Sequence, residues 1–153
     1  MDSTDLESFI KERGIDAQIV ILEVETPTVE AAAAAVGVET DQIGKSLLFL
    51  VEGEPVLVIA NGSKRIGYKQ LAGYLNTNRK RIKFANSTQV EAITGYSIGS
   101  VPPFGHRQRL KTLIEEGVMD QDAIYAGGGG INTLMRVGTA ELVRVTSATL
   151  VSL

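Results

Sequence analysis

Two apolar runs place the strongest constraint on how this chain can fold. Ser46–Glu52 and Pro55–Asn61 flank Gly53-Glu54, a spacing that predicts an antiparallel hairpin. The surrounding pattern predicts further elements. Leu6, Phe9 and Ile10 recur at helical spacing within Asp5–Arg13, with Thr4 as a cap and Gly14 as a stop. Ala17–Val24 is rich in β-branched residues and predicts a strand. Thr26-Pro27 predicts the start of a second helix, which runs through the alanines to Gly37. Ser63 is expected to cap a helix over Lys64–Leu75, Arg79–Phe84 predicts a short basic strand, and Thr88-x-x-Glu91 fits a capping box that opens a brief helix ending at Gly95. Strands are expected at Leu110–Ile114, Ala123–Ala126 and Ile131–Val137, the last two joined by a turn at Gly127–Gly130. Thr139 is the expected cap of a final helix from Ala140. Intermixed helices and strands with hairpin-length connections predict an α+β fold, a mixed, largely antiparallel sheet flanked by helices, rather than a doubly wound parallel sheet. No low-complexity linker and no repeat interrupts the pattern, so residues 1–153 are expected to form a single domain.

Several chemistries are excluded by counting. With no cysteine the chain has no disulfide, thiolate zinc site or cysteine nucleophile. With one histidine it has no multi-histidine metal site, and neither a metal nor a cofactor is expected. GxGxxG after a strand, GxxxxGK[ST] and GxSxG are all absent. The longest apolar stretch, Ala31–Val38, is far below the ~20 residues that span a bilayer, and no leader pattern opens the chain. The expectation is a cytoplasmic protein with no membrane partner, monomeric or homodimeric.

Charge informs only when divided. The net charge is −3, yet the segment Lys64–Lys111 carries ten bases and the single acid Glu91, a net +9, against −12 for the remainder. A basic segment of this kind is either an ordinary solvated face or an electrostatic footprint for a polyanion.

Two places have the residue types for chemistry. Lys45, after Gly44 and before the apolar run Ser46–Val51, is either a solvated strand-end charge or a fixed cation that holds phosphate or neutralises developing negative charge. Gly95–Gly105, with Gly99, Pro102 and Pro103 between its ends, is either a tight surface connection or a stiff, exposed backbone that presents N–H groups to an oxyanion. Gly127–Gly130 lies between two strands, with no helix N-terminus to make it a phosphate cradle, and reads as a turn. His106, beside Arg107 and Arg109, reads as a loop residue that lines a site rather than a triad base.

The runs Asp41–Phe49, Thr94–Gly105 and Tyr125–Gly129, in this order and spacing, resemble the YbaK/ProX family, free-standing relatives of the editing domain of bacterial prolyl-tRNA synthetase. The resemblance covers about Thr26 to Val145. It implies a sheet curled towards a barrel and a trans-editing hydrolase that deacylates mischarged aminoacyl-tRNA, typically tRNA for proline carrying Ala, Cys, Ser or Thr. On that basis Lys45 matches the family's essential lysine, and Gly99, Ser100 and Val101 form the catalytic loop, Ser100 departing from a commoner Gly-Gly pair. Substrate contacts are expected at Thr26, Tyr96, Pro103, Phe104, His106, Gly127 and Gly128. The ester is activated, so no protein nucleophile is required, and the substrate's vicinal hydroxyl can activate water. Lys64, Arg65, Lys69, Arg79, Lys80, Arg81 and Lys83 are the expected tRNA contacts, with a prolyl-tRNA synthetase as a possible second partner. The competing readings are a non-catalytic tRNA-binding or synthetase-associated module and a small-ester hydrolase that leaves the basic segment idle.

Overall fold

The computed structural model describes residues 1–153. Its elements are α1 (Ser3–Glu12), β1 (Ala17–Ile21), α2 (Val29–Val36), β2 (Ile43–Val51), β3 (Glu54–Asn61), α3 (Tyr68–Tyr74), β4 (Ile82–Phe84), α4 (Ser87–Thr94), β5 (Lys111–Glu115), β6 (Ala123–Gly127), β7 (Thr133–Gly138), α5 (Thr139–Thr146) and β8 (Thr149–Val151). The hairpin β2–β3 forms with Leu47 opposite Val58. Its turn lies one residue earlier than expected, at Glu52 (φ 51°) and Gly53 (φ 86°), the two left-handed positions that match the strands' twist.

Several boundaries differ from the sequence expectation, each because a side chain found another partner. Asp2 rather than Thr4 caps α1. Thr28 caps α2, while Thr26 lies before the helix and donates its N–H to Ile131 O at 2.9 Å. The expected helix from Lys64 begins only at Tyr68, because Ser63 Oγ bonds Asn61 Oδ1 and the Lys64 carbonyl accepts the Lys45 ammonium. Arg79–Arg81 is a 3-10 turn leading into β4, capped by Asn78. The capping box of α4 is Asn86 with Gln89, two residues before the expected pair. Gly138 stands at the N-cap of α5, and the Thr139 hydroxyl instead donates to Gln121 O at 2.7 Å.

The eight strands form one mixed, open sheet in the order β1-β7-β6-β2-β3-β5-β8, with β4 added to β2. The pairs β1–β7, β6–β7, β2–β3 and β2–β4 are antiparallel, whereas β2–β6, β3–β5 and β5–β8 are parallel. Strand β3 is buried on both faces, which explains its unbroken apolar run. Leu57 and Ile59 face a core completed by Leu6, Ile114, Ile124 and Met135, while Val56 and Val58 face a second one with Phe49, Leu71, Ile82 and Leu113. Each fully buried aliphatic side chain contributes about 1.5–3 kcal/mol relative to exposure.

The sheet is split along β2. One edge of β2 pairs with β3 from Gly44 to Val51. The other edge meets β6 only at Ile43 and Gly44, and β4 only from Phe49 onward. Between them Lys45, Ser46 and Leu47 have a strand neighbour on one side alone, and the gap opens to solvent.

Candidate active site

A cleft of about 280 Å³ occupies this split. Its floor is β2 from Gly44 to Leu48, including the free edge at Lys45–Leu47, and its walls are Thr26–Val29 with Ala32 of α2, Phe84 at the end of β4, the loop residues Ile98, Gly99 and Val101, and Ala126 and Gly127 of β6. The lining is mainly apolar, with Lys45 the only ionisable side chain among those residues.

Lys45 is half-buried, and its Nζ donates to the carbonyl of Lys64. Burial pushes its pKa below the ordinary lysine value; Glu30 works against this, and Arg65 adds to it. The turn after β3, closed by the Lys64 N–H donating to Asn61 O at 3.1 Å, therefore orients the ammonium, which explains why Ser63 and Lys64 lie outside α3. Beside Lys45, the hydroxyl of Ser46 is buried without a hydrogen-bond partner and lines the same cleft. Sequence reasoning missed Ser46; its signal was a hydroxyl next to the lysine in an otherwise apolar run.

The loop across the cleft is held by its own backbone. Ser100 donates both its N–H (3.1 Å) and its Oγ (2.8 Å) to Ser97 O, and Ser100 O accepts from the Gly129 N–H at 3.0 Å. Gly99 adopts φ 86°, a conformation that favours glycine. The N–H groups of Gly99 and Val101 donate to no other protein group. Two unpaired amides on a fixed loop beside a cation are a ready site for an oxyanion. The Ser100 N–H is already committed, its hydroxyl is held by Ser97 O, and the residue, 4% exposed, is not among those lining the cleft.

The expected substrate contacts divide. Thr26 and Gly127 line the cleft, and Gly128 lies buried just beyond it. Tyr96 does not reach it: the residue is 0% exposed, and its hydroxyl donates to Gly105 O at 3.1 Å. Phe104 stacks on Phe9 in the core, and Pro103 and His106 border a different concavity. His106 Nε2 lies 2.6 Å from Pro102 O, and burial pushes its pKa down. These four residues shape the Gly/Pro loop from behind.

The basic residues also divide. Lys64 pairs with buried Glu115 at 3.7 Å, and Arg81 pairs with Glu52. Arg65, Lys69, Arg79, Lys80 and Lys83 are exposed and form no ion pair. Arg79 lies over the Tyr68 ring at 3.8 Å, Tyr68 packs edge-on against Phe49, and Phe49 meets Phe84 at 5.4 Å. This stack joins the start of α3 to the cleft-lining Phe84. No three Asp, Glu or His side chains converge as metal ligands, and no helix is long and apolar enough to cross a membrane.

Fold and cleft together define a small mixed-sheet domain whose cleft is lined by one lysine and by two loop residues with unpaired amides. The chain belongs to the aminoacyl-tRNA editing domain family, whose model matches residues 23–145. It is 35% identical over 115 residues to a proline–tRNA ligase of Nitratidesulfovibrio vulgaris strain DP4, covering 73% of this chain and 20% of the ligase. The chain thus spans about a fifth of that relative's length. An uncharacterised Bacillus subtilis protein, YwhH, is 29% identical over 121 residues, 78% of this chain and 75% of its own. Among solved structures, a candidate trans-editing enzyme for prolyl-tRNA synthetase superposes with TM-score 0.90 at 29% identity, covering 98% of this chain and 94% of that one. The hypothetical protein APE2540 superposes with TM-score 0.89 at 29% identity, covering 97% of each.

Proposed function

We propose that the protein is a trans-editing deacylase that hydrolyses the ester between a wrongly attached amino acid and the 3′-terminal ribose of tRNA, foremost tRNA for proline. The observation that carries this reading is the meeting of Lys45 with the unpaired Gly99 and Val101 amides around one cleft. Water attacks the ester carbonyl, the two amides take up the charge on its oxygen, the carbon–oxygen bond to the ribose breaks, and the ribose hydroxyl leaves with a proton. The substrate's vicinal hydroxyl activates the water, so no protein base is needed. Lys45 holds the terminal nucleotide through its phosphate or ribose. The exposed face of Phe84 supports the terminal base, and Arg65, Lys69, Arg79, Lys80 and Lys83 meet acceptor-stem phosphates.

The mainly apolar cleft of about 280 Å³ suits a small side chain: alanine, serine, threonine or cysteine. One methylene changes discrimination by only about 1–3 kcal/mol, so the lining decides which of these is accepted. A panel of aminoacylated tRNAs, assayed for ester loss beside small amino-acid esters, tests the proposal. Rapid loss from a mischarged tRNA supports it. Binding without turnover indicates a tRNA-binding or synthetase-associated module instead, and turnover of small esters alone indicates a metabolite hydrolase.

A further inference from the structure

Two bases of the Lys64–Lys111 segment stand apart from the cleft and from the α3–β4 face. Arg107 and Arg109 join Arg13, at the end of α1, around a second concavity of about 340 Å³. It shares no lining residue with the Lys45 cleft. Buried Phe104 and Leu110 form part of its wall, and no aspartate or glutamate lines it.

The three guanidinium groups are oriented by neutral partners. Arg107 Nη1 donates to Ala92 O at 3.1 Å, Arg109 Nη2 donates to Ser147 Oγ at 3.3 Å, and Arg13 lies over the Phe9 ring at 3.9 Å. The one carboxylate within 4 Å of any of them is exposed Glu12, 3.9 Å from Arg13. The concavity is therefore lined by three arginines and no carboxylate, and each guanidinium keeps donors that no protein group takes. Charged groups that lack carboxylate partners but are held in place form a waiting anion site, and the planar guanidinium fork matches phosphate oxygens.

We infer that Arg13, Arg107 and Arg109 form a phosphate-binding site separate from the Lys45 cleft. The same chemistry admits a backbone phosphate of RNA or a free phosphorylated small molecule. The inference does not depend on deacylation, so it stands or falls separately from the proposed function.

The test uses the full chain, an Arg107→Gln/Arg109→Gln variant and an Arg13→Gln variant, each first checked for a native thermal transition. Inorganic pyrophosphate is titrated while side-chain Nε–H resonances of the arginines are followed, and tRNA affinity is measured against salt concentration. The expected result is a selective shift of the Arg13, Arg107 and Arg109 signals, with affinity at least about tenfold weaker in either variant, as loss of charged hydrogen bonds implies. If the physiological source is RNA, the double variant also lowers the slope of log K against log salt by about two. If it is a small molecule, pyrophosphate binding is lost while the tRNA slope is unchanged. Absence of pyrophosphate binding together with an unchanged tRNA slope overturns the site, as does pyrophosphate binding that persists in both folded variants.

Discussion

Gly127→Ala tests whether the position of the Gly/Pro loop controls the chemistry. A Cβ on Gly127 would stand 2.3 Å from Val101 O, 2.8 Å from Val101 C and 3.0 Å from Ser100 C. Ordinary Cβ contacts begin at 3.4 Å, so the loop must retreat by about 1 Å, and the atoms in the way are backbone rather than a flexible side chain. Displacement of about 1 Å at reacting groups costs about 10²-fold in rate. The same movement strains the hydrogen bond from the Gly129 N–H to Ser100 O, a contribution of about 1 kcal/mol. The expected variant is folded by circular dichroism, melts a few degrees lower, and deacylates about 100-fold more slowly in single-turnover assays. Gly73→Ala is the control: it meets nothing within 4 Å and is exposed on the outer side of α3, so it should gain about 0.5–1 kcal/mol and keep full activity. Wild-type turnover by a stably folded Gly127→Ala protein would refute the reasoning.

Other perturbations probe separate parts of the account. The chain contains no tryptophan, so Phe84→Trp introduces a single fluorophore at the cleft; its emission should change with AMP and with intact tRNA but not with tRNA lacking the terminal adenosine. In the proposed mechanism Lys45 acts as the ammonium, and burial holds its pKa below the ordinary 10.5, so enzymatic ester loss, corrected for the uncatalysed reaction, should fall as pH rises through that lowered value. Burial, with Asp5 and Asp2, pushes the Tyr96 hydroxyl up to about 12, above its unfolded value near 10. Above pH 10 the unfolded chain therefore loses this proton first, and folded stability should decline by about 2–3 kcal/mol between pH 10 and 12; the decline should be absent in Tyr96→Phe, as denaturant melts can show. Replacing Lys69, Lys80 and Lys83 together with glutamine should lower the salt slope of tRNA binding by about three, while the thermal midpoint stays near wild type.

The parts of the fold that were legible in the sequence are those fixed by local pattern. The Gly53 turn, the doubly apolar β3 and the stop at Gly37 depend on neighbours a few residues away, and they form close to where the pattern puts them. Strand β8 escaped notice because Thr149–Val151 is short and gains its order from parallel pairing with β5, more than thirty residues earlier. The start of α3 differs from the expected one for a non-local reason: Lys64 gives its carbonyl to Lys45, a partner nineteen residues away that no helical spacing reveals. At the site, Lys45 and the glycines could be picked out because their residue types are unusual in their settings. Tyr96, Phe104 and His106 share a segment with Gly99 but point to its other side, and that division depends on the loop's path rather than on composition.

The most direct measurement compares wild-type protein with Lys45→Ala for ester loss from alanyl-tRNA for proline, with correctly charged prolyl-tRNA as the control. The proposed mechanism predicts rapid loss of alanine with the proline ester spared, and no measurable loss above the uncatalysed rate for a variant that retains the wild-type fold. Turnover by Lys45→Ala close to that of the wild type, or no turnover of any mischarged tRNA by the wild type, would contradict it.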